Sequence, residues 1–208
     1  AAQTVSGSGT FNTSVIRNLT FSNTSTAIPN INWGFNNISV DNNLNIANAK
    51  INLNNNKIIF GTSATSSGGT FTVTNGGFLN GTFSRWWSAS AGGYNTNGPT
   101  SVPAGSPAGR YPFFTSTGEA RIFYIGRTTA SAGGKFAVTY NNATTSTSGQ
   151  NITDGTYVVT DRWDGNFVVT TDGTSPAAAS YWVTIFAPNA FYTSAIGARI
   201  IGQSASIS

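Results

Sequence analysis

A chain of 208 residues without a single cysteine or histidine is long enough to bury its own core, but it excludes disulfide frameworks, thiolate nucleophiles and Cys- or His-built metal sites, and it lacks the commonest general base. The net charge of +4 comes from ten scattered cations against six carboxylates; acid is scarce, no basic run tracks a phosphate backbone, and no nucleic-acid partner is expected. Asn, Ser, Thr and Gly supply 102 of the 208 residues while charged side chains are 8%, so amides and hydroxyls carry solubility, a balance that points to a secreted, extracellular protein.

The chain opens on Ala1-Ala2-Gln3, which reads as a mature start after removal of a signal peptide. Residues 3–15 then alternate: Gln3, Val5, Gly7, Gly9, Phe11, Thr13 and Val15 share one parity, with Ser, Thr and Asn on the other. This is a strand with one face made for burial. Gly7 and Gly9 notch that face, as suits a strand laid into a groove of another body. The leading expectation is a donor strand given to a neighbouring subunit, its interface residues Val5, Gly7, Gly9, Phe11 and Val15; the alternative is pairing within its own chain.

From 38 to 83 short apolar runs recur, at first about every seven residues (38–40, 44–46, 51–53, 58–60, then 71–73 and 78–83), separated by corners such as Asp41-Asn42-Asn43 and Asn54-Asn55-Asn56. The pattern reads as sandwich strands, with a solenoid-like meander as the alternative for this half. Residues 88–110, rich in Gly and Pro, form the longest stretch without strand signals and divide the chain. Beyond them, 121–125, 135–140, 157–160, 167–171, 181–186 and 198–201 read as strands. The hairpin 157–160/167–171 is expected to turn at Asp164-Gly165, with Asp154-Gly155 and Asp172-Gly173 marking neighbouring turns. The expected fold is all-β: an antiparallel β-sandwich, jelly-roll-like or two small sandwiches, organised as a donor segment (1–20), a first half (21–87), a loop (88–110) and a second half (111–208). No stretch approaches the ~20 apolar residues of a membrane-spanning helix.

The succession Leu44-Asn45-Ile46, Ile51-Asn52-Leu53, Lys57-Ile58-Ile59-Phe60-Gly61, Gly69-Thr70-Phe71-Thr72-Val73, Gly81-Thr82-Phe83-Ser84-Arg85-Trp86-Trp87 and Tyr111-Pro112-Phe113 resembles segments of large secreted surface proteins of Bacteroidota, in which short Asn/Leu strands precede an Arg-Trp pair and a Tyr-Pro segment. The likeness covers about residues 37–125. It implies an exported, cell-surface structural β-protein and brings no catalytic residues with it.

The candidate sites are few. Asp161 and Asp164, around Arg162-Trp163, read as turn and surface residues, with calcium ligation or a glycosidase carboxylate pair as alternatives. Trp86 and Trp87 are adjacent, so on a strand they point to opposite faces; core or interface packing competes with a sugar-binding platform. Seven Asn-x-Ser/Thr sequons (Asn12, Asn18, Asn23, Asn37, Asn80, Asn142, Asn151) are about what this composition gives by chance. The Gly-Gly pairs at 68, 76 and 133 lack the Gly-Lys-Ser/Thr of a phosphate loop and read as turns. No catalytic residue, metal site or cofactor is expected. The expected function is a structural subunit of an extracellular filament or pilus, its partners identical subunits joined head to tail by donor-strand complementation. The alternative is a carbohydrate-binding or adhesin module meeting glycans or surfaces, with a glycan-active enzyme a distant third.

Overall fold

The computed structural model describes residues 1–5, 15–88, 109–143, 146–163 and 165–186. The first half supplies β1 (Gln3–Val5), β2 (Val15–Ser22), β3 (Ile31–Trp33), β4 (Ile38–Ala47), β5 (Lys50–Asn52), β6 (Lys57–Phe60), β7 (Thr70–Thr74), β8 (Gly77–Leu79) and β9 (Thr82–Trp87). The second supplies β10 (Arg110–Phe114), β11 (Ala120–Ala132), β12 (Gly134–Asn141), β13 (Ser146–Asp154), β14 (Tyr157–Trp163), β15 (Asn166–Thr171) and β16 (Ala177–Phe186). The fold is all-β, as the runs of β-branched and aromatic residues require.

The strands assemble into two layered sheets. One has the order β1-β3-β5-β8-β10-β11-β16, the other β15-β12-β9-β6-β4-β2 with β7 paired to β4. Through the first half the chain alternates between sheets, except that β6 and β7 follow one another in the same sheet, and the strands within each sheet pair in parallel. Antiparallel pairing, expected throughout, appears among the described residues only where a second-half strand takes part, as β11, β12, β15 and β16 join the sheets, β12 on the first-half strand β9. Parallel neighbours cannot be joined by a tight hairpin, and here the route between them runs through the opposite sheet. Asparagine makes those corners. Asn48, Asn54, Asn55, Asn75 and Asn80 all hold positive φ, between 46° and 64°, a left-handed conformation that Asn tolerates better than other side-chain-bearing residues. Corners also stack on corners, as where the Asn48 N–H donates to Thr74 O at 2.7 Å and the Gly77 N–H to Ala49 O at 2.9 Å.

The Asp41-Asn42-Asn43 corner lies instead inside the ten-residue β4. It still marks a change: residues 38–40 of β4 pair with β6, residues 43–47 pair with β7, and the ladder to β2 shifts register between Ile16 and Asn18. The polar triplet is a break in pairing without being a break in the strand. A second difference concerns β14. It pairs with β13 across Gly155-Thr156, with Gly155 at φ +61°, while β15 pairs with β12. The expected hairpin of 157–160 with 167–171 is thus replaced by a β13–β14 ribbon, because Gly155-Thr156 forms the two-residue loop between the paired Asp154 and Tyr157 and leaves β15 to pair in the sandwich.

Register turns alternation into rows. Ile38, Ile58, Phe83, Val138 and Val169 align across one sheet, and Ile31, Ile51, Phe78 and Phe113 across the other. The rows meet in the core. Phe83, fully buried, has the rings of Phe78 at 4.9 Å, Phe71 at 5.2 Å and Tyr111 at 5.7 Å. Burying such a side chain is worth about 1.5–3 kcal/mol, and each aromatic pair adds about 0.5–1.5 kcal/mol.

Candidate assembly edges and the Trp86 face

At the end of the fold where the chain begins, β1 closes one sheet and β2 the other. Gln3–Val5 pairs in parallel with Ile31–Trp33, and β2 pairs in parallel with β4. The backbone at 3–5 and at Val15 is therefore paired within the chain, in two different sheets. Of the expected donor residues, Val15 is 40% exposed; Gly7, Gly9 and Phe11 lie outside the described residues. Ile16 and Leu19 pack partly on the core, with Phe21 buried against Trp33 at 5.6 Å. The outer edge of β2 carries no further strand among the described residues.

The corner behind this end is held by Asn30, which is completely buried. Its Nδ2 donates to the carbonyls of Asn23 at 2.9 Å, Ser25 at 3.1 Å and Asn48 at 3.0 Å, while its Oδ1 accepts the Lys50 N–H at 2.7 Å. One amide thus ties the β2–β3 connection to the β4–β5 connection. Amides also pair from strand to strand, Asn42 to Asn18 at 3.1 Å and Asn52 to Asn32 at 3.3 Å.

Trp86 and Trp87 point to opposite faces of β9, as their adjacency requires. Trp87 is fully buried, its Nε1 donating to the Tyr111 hydroxyl at 3.2 Å and its ring perpendicular to Phe136. Trp86 is half-buried on the outer face, with the Lys135 ammonium 5.3 Å from its ring centroid. Beside it, Asp172 bridges Lys57 at 2.7 Å and Lys135 at 3.1 Å and accepts from Ser84 Oγ at 3.4 Å. Partial burial works against the Asp172 charge, but the two ammonium groups outweigh it and hold the carboxyl below its ordinary value.

The inward parity of β9 holds a surprise for a sequence reader: between Phe83 and Trp87 sits Arg85, 3% exposed. Its guanidinium lies 4.9 Å from the Phe71 ring centroid and donates to Arg110 O at 3.0 Å. Arg127 similarly faces Trp87 at 5.3 Å and donates to Ala132 O at 3.0 Å, and the fully buried Arg121 meets Glu119 at 2.8 Å. Arg85 entered the sequence reading only through the Arg-Trp pair of the surface-protein likeness, and Arg121 and Arg127 were not singled out. The shared parity of Phe83, Arg85 and Trp87 on β9 is the signal that could have found Arg85. The planar guanidinium stacks on aromatic faces and keeps donors in one plane, which suits it to such a site.

Asp161 is exposed on β14 and accepts the Thr160 hydroxyl at 2.8 Å; Asp164 lies outside the described residues. A polar cleft of about 330 Å³ is lined by Arg17, Asp41, Asn42 and residues 65–69, with Ser66 Oγ donating to Asp41 at 2.9 Å. Among the described residues no three His, Cys, Asp or Glu side chains gather, and no helix is long and apolar enough to cross a membrane. The chain matches no family model, no curated protein and no solved structure.

Proposed function

We propose that the chain is a structural subunit of an extracellular filament, polymerised head to tail by β-strand pairing between copies. The observation that supports this reading is the end formed by β1 and β2, where, among the described residues, each sheet finishes on a terminal strand and Val15 is 40% exposed while Ile16 and Leu19 pack on the core. A terminal strand can template a strand from another chain, with the ladder supplying affinity and alternate side chains supplying specificity. Donation from one copy to the next is a heterologous contact, so it grows open fibres instead of closed rings. The amide- and hydroxyl-rich surface and the likeness of residues 37–125 to surface proteins of Bacteroidota agree with an extracellular setting.

The test is assembly itself. Purified protein examined by negative-stain microscopy and analytical ultracentrifugation should form fibres of uniform mass per length. A monodisperse monomer at every concentration would refute the reading. Phe11→Asp examines the donor segment: a carboxylate placed in an apolar groove costs several kcal/mol, so normal fibre yield would remove residues 3–15 from the interface. A glycan-binding module is the second reading, favoured by the half-buried Trp86 beside Ser84 and Asp172. Affinity electrophoresis in neutral polysaccharide, with retardation lost in Trp86→Ala, would select it.

A further inference from the structure

The outer face of β9 and β12 gathers an indole and two ammonium groups around a single carboxylate. Ser84 and Trp86 stand opposite Ala137 and Lys135, all on the parity that faces away from the core, since Phe83, Arg85, Phe136 and Val138 point inward. The Lys57–Asp172 pair reaches from β6 to the residue after β15, with β9 and β12 lying between those strands. Small side chains at Ser84 and Ala137, both buried, leave room for it to cross. The ammonium groups are partly sheltered, Lys135 13% and Lys57 27% exposed, so salt screens them less than charges on open surface. Each ammonium carries three donors, and the carboxylate they share is Asp172. Two positive charges against one negative leave the cluster cationic beside the half-buried Trp86.

We propose that this face binds an acidic polysaccharide, one whose sugar rings carry carboxylates. This rests on the glycan-binding reading of Trp86 and names the class of glycan. The face of the indole is the negative pole of its quadrupole and attracts the C–H groups on the flat side of a pyranose. The Lys135 ammonium lies 5.3 Å from the Trp86 ring centroid, so a carboxylate at the edge of a stacked sugar meets it in a charge-assisted hydrogen bond. Ser84 Oγ and the Thr82–Thr139 hydroxyl pair, 2.7 Å apart, continue the polar surface along the same two strands. A nucleic acid also stacks and carries negative charge, but it needs a track of cations along its phosphates. This cluster offers two.

Affinity electrophoresis of the whole chain in polygalacturonate, and in its methyl-esterified form as the same polymer without charge, is the test. The acid polymer should bind about tenfold more tightly, the difference one charge-assisted hydrogen bond makes, and the preference should shrink as salt rises. Lys135→Gln should bring the two affinities together, and Trp86→Ala should abolish both. Asp172→Asn removes the negative charge of the cluster and should widen the preference, which a purely structural role for Asp172 would not do. If Trp86→Ala fails to fold, the Lys135 and Asp172 variants decide. Equal retardation by both polymers, lost in Trp86→Ala, would overturn the acidic class and leave the glycan-binding reading standing. Retardation by the acid polymer unchanged in all three variants would trace it to the overall charge of +4 and overturn the site, as would tighter binding of single-stranded DNA. No retardation by either polymer would overturn the proposal and the glycan-binding reading together.

Discussion

Replacing Asn30 by alanine should cost the fold about 3–5 kcal/mol, for reasons that can be counted. The side chain makes four hydrogen bonds, three donated to carbonyls and one accepted from the Lys50 amide, in a place with no solvent exposure. Each such bond contributes about 0.5–1.5 kcal/mol net, and a buried polar group left without its partner adds about 1–3 kcal/mol. Because two amide hydrogens serve three carbonyls, the bonds are not independent, and the lower part of the summed range is the realistic one. Set against a total stability of about 5–15 kcal/mol, the loss should be plain in equilibrium urea unfolding. Hydrogen exchange at the Lys50 amide should accelerate with it. Asn30→Asp sharpens the test: it keeps the acceptor for Lys50 but sets a carboxylate against three carbonyl oxygens, so it should be at least as damaging at pH 7 and recover in part on acidification, when the protonated acid can donate. Asn42→Ala, which loses one exposed amide contact to Asn18, serves as control and should cost less than about 0.5 kcal/mol. A loss below about 1 kcal/mol for Asn30→Ala would show that the corner is held by the backbone ladder alone.

Acid should weaken the Trp86 face: the Asp172 carboxyl is held below its ordinary value, so its contribution is present above the unfolded-state pKa and lost as pH falls through the folded one, and Asp172→Asn should remove that component from an acid titration of stability. In alkali the sign reverses. Burial, only partly offset by Arg121, pushes the Tyr140 hydroxyl up to about 12 from 10.0; between those values the unfolded chain releases a proton that the folded one keeps, so stability falls as pH rises from 10 towards 12. Tyr140→Phe should flatten that limb of a thermal-melt series. Arg85→Lys keeps the charge but loses the planar fork that donates to Arg110 O among aromatic rings; it should cost about 1–3 kcal/mol in urea unfolding, and a neutral result would show that only the charge matters there.

Composition and alternation alone determined a good deal. Runs of Ile, Leu, Val and Phe at every second position require strands with a buried face, and the adjacency of Trp86 and Trp87 puts one in and the other out; that Trp87 is the buried one only the tertiary structure decided. The Asn54-Asn55-Asn56 corner was legible because consecutive asparagines tolerate the left-handed backbone that a sharp turn needs. Alternation, however, states which face is buried and is silent on which strand lies alongside. Whether Ile51 pairs with a neighbour in sequence or with Ile31 and Phe78 depends on the path of the chain between them, and that path crosses to the other sheet. The same indifference let Asp164-Gly165 look like a hairpin turn when β14 is committed to β13. Asn30 and Arg85 were polar letters among many. Their importance comes from burial, where a group that water would otherwise satisfy must find every partner within the protein, and only the tertiary structure brings Lys50, Asn48 and Phe71 within reach.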